Sequence, residues 1–264
     1  MIGTVKPDFL EAGSGETVIL LHSSVAGARQ WRSLMTVLAH RCHLVAINLF
    51  GYGKTAPWPT EKQQSLEDQA QLVAPFLPAD GSSVSIVGHS FGGSVAMKAA
   101  ALFRGQVRRL VLIEPNPFYL LEQHGRGEAF REALRLRDII KENGSRGSWK
   151  TAAAEFANYW NGEGSWEAMP EDRRDKFIDA LKPNFHEWDG VMNEHTPLSD
   201  WAKSLPGQTT VISAKDTVRS IDEIIVLMRE NIPHWRFEQI DRGGHMAALT
   251  KPDLVNPLVQ RALI

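Results

Sequence analysis

Val84-Ser85-Ile86-Val87-Gly88-His89-Ser90-Phe91-Gly92-Gly93 is the stretch on which the reading of this chain turns. The apolar run Val84 to Val87 predicts a buried strand, and the Ala-rich segment from Ser94 to Phe103 predicts a helix. Between them lies a turn with Ser90 at its apex. A serine in so tight a strand-to-helix turn sits in strained backbone with its hydroxyl clear of the sheet edge. Gly88 and Gly92 fit that turn because a side chain at either place would collide with the neighbouring strand or helix. The helix beyond Ser90 points backbone N–H groups and positive dipole at the place where an oxyanion would develop. Falling between a strand pattern and a helix pattern, the G-x-S-x-G string reads as a nucleophile rather than a chance match in a Gly-rich loop.

Working outward, Thr17 to Leu21 and Leu44 to Ile47 are short apolar runs of the kind expected for strands buried on both faces. Between them, Trp31, Leu34, Met35 and Leu38 recur at a helical period. The loop Asn48 to Thr55 is Gly-rich but lacks the G-x-x-x-x-G-K-[ST] spacing of a phosphate cradle. Ser65-Leu66-Glu67-Asp68 reads as a capping box, opening a helix that Pro75 bends or ends near Phe76. Arg109 to Ile113 is the next strand, closed by Glu114-Pro115.

There the alternation stops. Helical periods run from Asn116 to about Leu205 with no clear strand, which predicts a helical insertion. It is rich in aromatic residues, Trp160 and Trp188 among them, which suit helix packing and could also wall a substrate site. The strand pattern resumes at Thr209 to Ser213 and is followed by Ala214-Lys215-Asp216. Ser220 to Glu223 reads as a second capping box, Phe237 to Ile240 as the last strand, and Gly243-Gly244-His245-Met246 as the loop after it. A helix from about Asp253 to Leu263 closes the chain. The fold class is α/β: a mostly parallel sheet with helices on both faces, its site at the carboxyl ends of the strands. Residues 1–115 and 206–264 form the core, and residues 116–205 an inserted helical cap.

Composition narrows the function. The chain has 264 residues, 43 % of them hydrophobic, enough for one large domain with a full core. A net charge of −2, with acids and bases dispersed, predicts neither nucleic acid nor a membrane as partner and leaves small neutral substrates open. Met1 to Asp8 lacks the pattern of a signal peptide, and Cys42 is the only cysteine, so a cytoplasmic location is expected. His40, Cys42 and His43 match no established zinc spacing, and no metal or cofactor is predicted. The sequence leaves the oligomeric state open, a homodimer included.

Ser90 after a middle strand, Asp216 after the next-to-last and His245 after the last share one sheet edge, in the order Ser, acid, His. With Gly88-His89-Ser90-Phe91-Gly92-Gly93 and Gly244-His245 as its most specific marks, the chain resembles the α/β-hydrolase superfamily along essentially its whole length, in the serine-nucleophile branch with a helical cap. The resemblance implies that Ser90 attacks, His245 takes and returns the proton, and Asp216 fixes the imidazole. Glu114 is the alternative acid, because some relatives, haloalkane dehalogenases among them, place theirs after the strand following the nucleophile. The resemblance also implies an oxyanion hole from the backbone N–H groups of Phe91 and Ser24. Ser23 replaces the usual glycine and leaves the second donor open between Ser23 and Ser24. His22 and His89 are expected to fix loops.

Dehalogenases and epoxide hydrolases carry aspartate where Ser90 stands, and carbon–carbon hydrolases of ring-cleavage pathways usually carry asparagine where His89 stands. The expectation is therefore an esterase acting on small to medium carboxylic esters or lactones through an acyl-enzyme, with Trp160, Trp188 and Met246 as substrate contacts. The alternatives are a carbon–carbon hydrolase and a ligand-binding protein without turnover. Asn48 stands where aspartate is common in the family.

Overall fold

The computed structural model describes residues 5–59 and 61–264. Residues 1–4, part of the start read for a leader, lie outside them. Among the described residues seven strands form one sheet: β1 (Phe9–Ala12), β2 (Glu16–Leu21), β3 (Cys42–Ile47), β4 (Val84–His89), β5 (Val107–Ile113), β6 (Gln208–Ala214) and β7 (Arg236–Ile240). Their spatial order is β1-β3-β2-β4-β5-β6-β7. Every neighbouring pair is parallel except β1 with β3.

The helices on the core are α1 (Arg32–Leu38), α2 (Leu66–Ala70) and α3 (Phe91–Leu102), and beyond the insertion α10 (Arg219–Asn231), α11 (Ala247–Thr250) and α12 (Pro252–Leu263). Between β5 and β6 lie α4 (Tyr119–Gln123), α5 (Gly127–Ser145), α6 (Trp149–Asn161), α7 (Glu171–Leu181), α8 (Asn184–Asn193) and α9 (Leu198–Ser204), with no strand among them. This is the segment read from sequence as a cap.

The strands alternate between two cores, which is why they read as unbroken apolar runs. Val18, Leu20, Val87, Val111 and Ile212 pack with α1, α11 and α12, whereas Ile19, Leu21, Ile86, Leu112 and Val211 pack toward α3, α10 and the insertion. Register brings the carboxyl ends level: Leu21 pairs with Gly88, His89 with Ile113, and Ile113 with Ile212. The loops leaving β2, β4, β5 and β6 therefore emerge side by side.

One strand went unread in the sequence, and one local expectation is corrected. β1 gave no sequence signal because it is four residues long, only partly buried and paired on one edge. Ser65 does form the capping box with Asp68, but Ser220 caps nothing. Helix α10 begins at Arg219 after Val218, so Ser220 lies inside its first turn, buried, with its hydroxyl 2.7 Å from Tyr159 Oη.

Candidate active site

The turn after β4 holds Ser90 at φ 54°, ψ −121°, a conformation side chains other than glycine rarely adopt. It is made possible by two absent side chains. A Cβ on Gly88 would stand 2.2 Å from the Gly92 carbonyl oxygen, and one on Gly92 would stand 2.4 Å from the carbonyl oxygens of His22 and Leu21. Ser90 occupies the N-cap position of α3, yet its hydroxyl makes no capping bond. Its oxygen lies instead 2.8 Å from His245 Nε2.

His245 Nδ1 lies 2.9 Å from Glu114 Oε2, and Ser90, His245 and Glu114 are all nearly inaccessible to solvent. The bonding fixes the tautomer: Nδ1–H donates to the carboxylate and Nε2 is left to accept from the Ser90 hydroxyl. Glu114 has φ 47° and reaches across the end of β6. Its Oε1 accepts the Ala214 N–H at 2.7 Å, and its Oε2 also accepts the Thr217 hydroxyl at 2.5 Å. Three donors thus hold a buried carboxylate in one orientation.

Asp216, the acid favoured from sequence, does not pair with His245. Its two oxygens accept the N–H groups of Gly243 (3.0 Å) and Gly244 (2.8 Å). Burial is the largest single effect and pushes its carboxyl up, but the bonds from Gly243 and Gly244 together outweigh it and hold the carboxyl below the usual range. The register explains the exchange. Glu114 leaves the sheet one strand nearer Ser90, and its side chain is one methylene longer than that of Asp216, so it spans to the imidazole. Asp216 shapes the loop that delivers His245.

A second chain of bonds ties the surrounding loops together. Gln30 Oε1 accepts both the backbone N–H (3.0 Å) and the hydroxyl (2.9 Å) of Ser23, and Gln30 Nε2 donates to His89 Nδ1 (3.1 Å). His89 Nε2–H in turn donates to the His245 carbonyl at 2.9 Å. His22 Nδ1–H donates to the Ser23 carbonyl at 2.7 Å, and its Nε2 accepts from Leu49 N–H at 3.1 Å. Both rings are held neutral, burial pushing His22 down to about 4 and His89 down to about 3. Asn48 accepts from Ala28 N–H and donates to Asp8 Oδ2 at 2.9 Å, a donation an aspartate could not make.

These bonds bear on the oxyanion donors. Ser23 N–H is taken by Gln30 and Val25 N–H by Tyr52 Oη, so Ser24 N–H is the donor in that loop without an acceptor among the described residues. Phe91 N–H is likewise without an acceptor among them, as expected in the first turn of α3.

Above Ser90 the inserted helices leave a small cavity of about 20 Å³, lined by Ser24, Phe91, Asn116, Phe156, Trp160, Asn184, Glu187, Trp188, Val191, His245 and Met246 among others. That volume is enough for one ordered water. Trp160 stacks on the His245 ring with centroids 4.1 Å apart, and its Nε1–H is buried without a partner among the described residues. Trp188 donates to Asn184 Oδ1 at 2.8 Å and stacks on Phe118. Trp160, Trp188 and Met246 thus all border the cavity.

Sequence reading did not find Gln30, Asn116, Asn184 or Glu187. Glu187, on α8, accepts from Ser24 Oγ (2.5 Å), Asn184 Nδ2 (2.8 Å) and Tyr52 Oη (2.8 Å). Burial raises its carboxyl above the usual range against the lowering effect of those bonds. A glutamate or glutamine on a helix ordinarily signals a solvated face, and nothing local marks these as buried.

Among the described residues no helix is long and apolar enough to cross a membrane. None of them form a group of three or more His, Cys, Asp or Glu side chains able to hold a metal ion.

Comparison with known proteins agrees with this architecture. The chain is 37 % identical over 117 residues to a 2-hydroxy-6-oxo-6-(2'-aminophenyl)hexa-2,4-dienoic acid hydrolase of Metapseudomonas resinovorans, a match covering 42 % of this chain and 39 % of that protein. It is 24 % identical over 250 residues to a putative carbamate hydrolase of Pantoea ananatis, covering 92 % and 86 %. Matches to the first three curated relatives span 39 to 52 % of those proteins' own lengths. A structure from work on carboxylesterases of Nitrososphaera gargenis superposes with a TM-score of 0.76 over 98 % of this chain and 94 % of that one, at 17 % identity, a likeness of fold. The alpha/beta hydrolase family profile matches residues 18–258. With a family match across nearly the whole chain, a parallel sheet of the expected order and a serine at the elbow after β4, the chain belongs to the alpha/beta hydrolase family.

Proposed function

We propose that the protein is a serine hydrolase that cleaves small to medium carboxylic esters or lactones through an acyl-enzyme. The observation that carries this reading is the continuous line of hydrogen bonds from Ser90 through His245 to Glu114 at 2.8 and 2.9 Å. Ser90 Oγ attacks the ester carbonyl while His245 Nε2 takes its proton. Glu114 holds the Nδ1–H and stabilises the imidazolium. The N–H groups of Ser24 and Phe91 receive the carbonyl oxygen as it becomes an oxyanion, each contributing on the order of a hundredfold or more in rate. His245 then protonates the leaving alcohol, and water repeats the sequence on the acyl-enzyme. Trp160, Trp188 and Met246 supply apolar wall for the acyl or alcohol group.

The runner-up is a carbon–carbon hydrolase, which the Metapseudomonas relative favours by name. A dienoic acid is a carboxylate at neutral pH. Among the described residues lining the cavity there is no lysine or arginine, and one is the buried glutamate Glu187. A carboxylated substrate would meet like charge and no counter-charge, which favours the ester reading. The test compares turnover of a chain-length series of p-nitrophenyl esters with that of a vinylogous diketone bearing a dienoate. Ester turnover abolished by Ser90→Ala is expected. Release of dienoate with no ester turnover would reverse the order of the two readings, and tight binding without turnover of either would favour a ligand-binding protein.

A further inference from the structure

The cavity wall beside Ser24 contains a buried carboxyl group that the ester chemistry above does not use. Glu187 is 1 % exposed and borders the cavity, and no ion pair among the described residues includes it. Its partners are three neutral donors, two on Oε2 and one on Oε1. A carboxylate offers about four acceptor sites, so one on Oε1 is unspent. Holding the cap helix to Ser24 and Tyr52 does not call for a charge. A glutamine would keep two of these bonds on its single acceptor oxygen and turn an N–H toward Tyr52 Oη, without the desolvation cost, several kcal/mol, of a buried ion. The cost is borne where Glu187 borders the cavity and a bound substrate can add a further donor.

We propose that Glu187 is a specificity-determining residue: its unspent acceptor site receives a hydrogen-bond donor on the substrate, a hydroxyl or a protonated amine, and its charge turns carboxylated substrates away. This rests on the serine-hydrolase reading and names the class of ester that the site selects. The donor-bearing group lies on the part of the substrate beneath α8, next to the Ser24 loop, so it sits within a few bonds of the scissile carbonyl. Substrates lacking it leave that acceptor site buried and unfilled in the complex, which is the basis of discrimination by such a site.

The test uses matched esters on each side of the scissile bond. Methyl 3-hydroxybutyrate is compared with methyl 3-methylbutyrate, 2-dimethylaminoethyl acetate with 3-methylbutyl acetate, and monomethyl succinate with methyl pentanoate. For the wild type, kcat/KM is expected to favour the donor-bearing member of one of the first two pairs by about tenfold or more, and to disfavour the succinate by a similar factor. In Glu187→Gln both ratios are expected to fall toward one. A wild-type ratio near one in all three pairs would overturn the proposal. So would a Glu187→Gln variant in which every substrate loses rate in parallel with the ratios kept, which is what a purely structural latch gives. Failure of the hydrolase reading looks different, with no Ser90-dependent turnover of any ester. In that case calorimetry on Ser90→Ala reads the preference directly: 2-dimethylaminoethanol binding no tighter than 3-methylbutanol, together with methyl 3-hydroxybutyrate binding no tighter than methyl 3-methylbutyrate, would still refute the role of Glu187.

Discussion

His245 and Glu114, 131 positions apart in the chain, meet through a single 2.9 Å hydrogen bond in a site almost closed to solvent. The contact joins the loop after the last strand to the end of β5, with the end of β6 lying between and contributing Ala214 N–H to the same carboxylate. It makes Glu114, and not Asp216, the acid of the proposed triad.

Glu114→Gln is expected to lower kcat by about 10³- to 10⁴-fold, because an amide no longer stabilises the imidazolium or selects its tautomer. Asp216→Asn keeps one acceptor for the Gly243 and Gly244 N–H groups and is expected to retain activity to within about tenfold. Steady-state kinetics on both variants checks this; the reverse ranking would return the role to Asp216.

Gly88→Ala and Gly92→Ala are expected to unfold the elbow rather than tune it. Each Cβ would stand within 2.4 Å of backbone oxygen, where no flexible side chain can give way. A loss of about 3 kcal/mol or more is expected in urea unfolding, or failure to fold. A variant as stable as wild type would show that the backbone there yields.

The pH dependence of stability follows from His22 and His89. Both have folded values below the ordinary 6.5, about 4 and about 3, so the unfolded chain binds protons before the folded one does. Their stabilisation is complete above about pH 6.5 and is lost as pH falls toward about 4 for His22 and about 3 for His89, at roughly 1.4 kcal/mol per pH unit for each ring. Glu187, raised by burial, acts in the opposite sense: its penalty is absent below the ordinary glutamate value and grows as pH rises through its folded value. The cleanest measurement is therefore the urea midpoint of Glu187→Gln at pH 7.5 and 5.5, which is expected to drop. An unchanged midpoint would mean that the two histidines are not held neutral.

Trp160→Phe keeps an aromatic ring over His245 and removes a buried N–H that has no partner. Such an orphan donor costs about 1–3 kcal/mol, so the free enzyme is expected to lose little stability while KM rises if the substrate supplies the missing acceptor. A melting temperature several degrees lower, with KM unchanged, would instead make Trp160 a packing residue.

Much of this arrangement was legible in the sequence because buried parallel strands leave unbroken apolar runs, as at Thr17 to Leu21 and Arg109 to Ile113. Ser90 stood out because strand, glycines and helix coincide within ten residues. The acid was harder: Glu114 and Asp216 both follow strands, and the side-chain reach and left-handed backbone that decide between them leave no pattern. Ser220 shows the same limit, since a Ser-x-x-Glu string fits a capping box whether or not the helix starts there. Gln30 and Glu187 were invisible for a different reason. Their partners, Ser23 and His89 for one and Ser24, Tyr52 and Asn184 for the other, come mostly from distant segments that only the folded sheet and cap bring together.

The most direct test of the central claim is rapid mixing with a p-nitrophenyl ester, followed by acid quench and intact-mass and peptide analysis of the protein. A burst of p-nitrophenolate with the acyl mass on the peptide containing Ser90, and neither burst nor adduct in Ser90→Ala, is the predicted result. Turnover that persists in Ser90→Ala at the wild-type rate, or an acyl group on another residue, would contradict it.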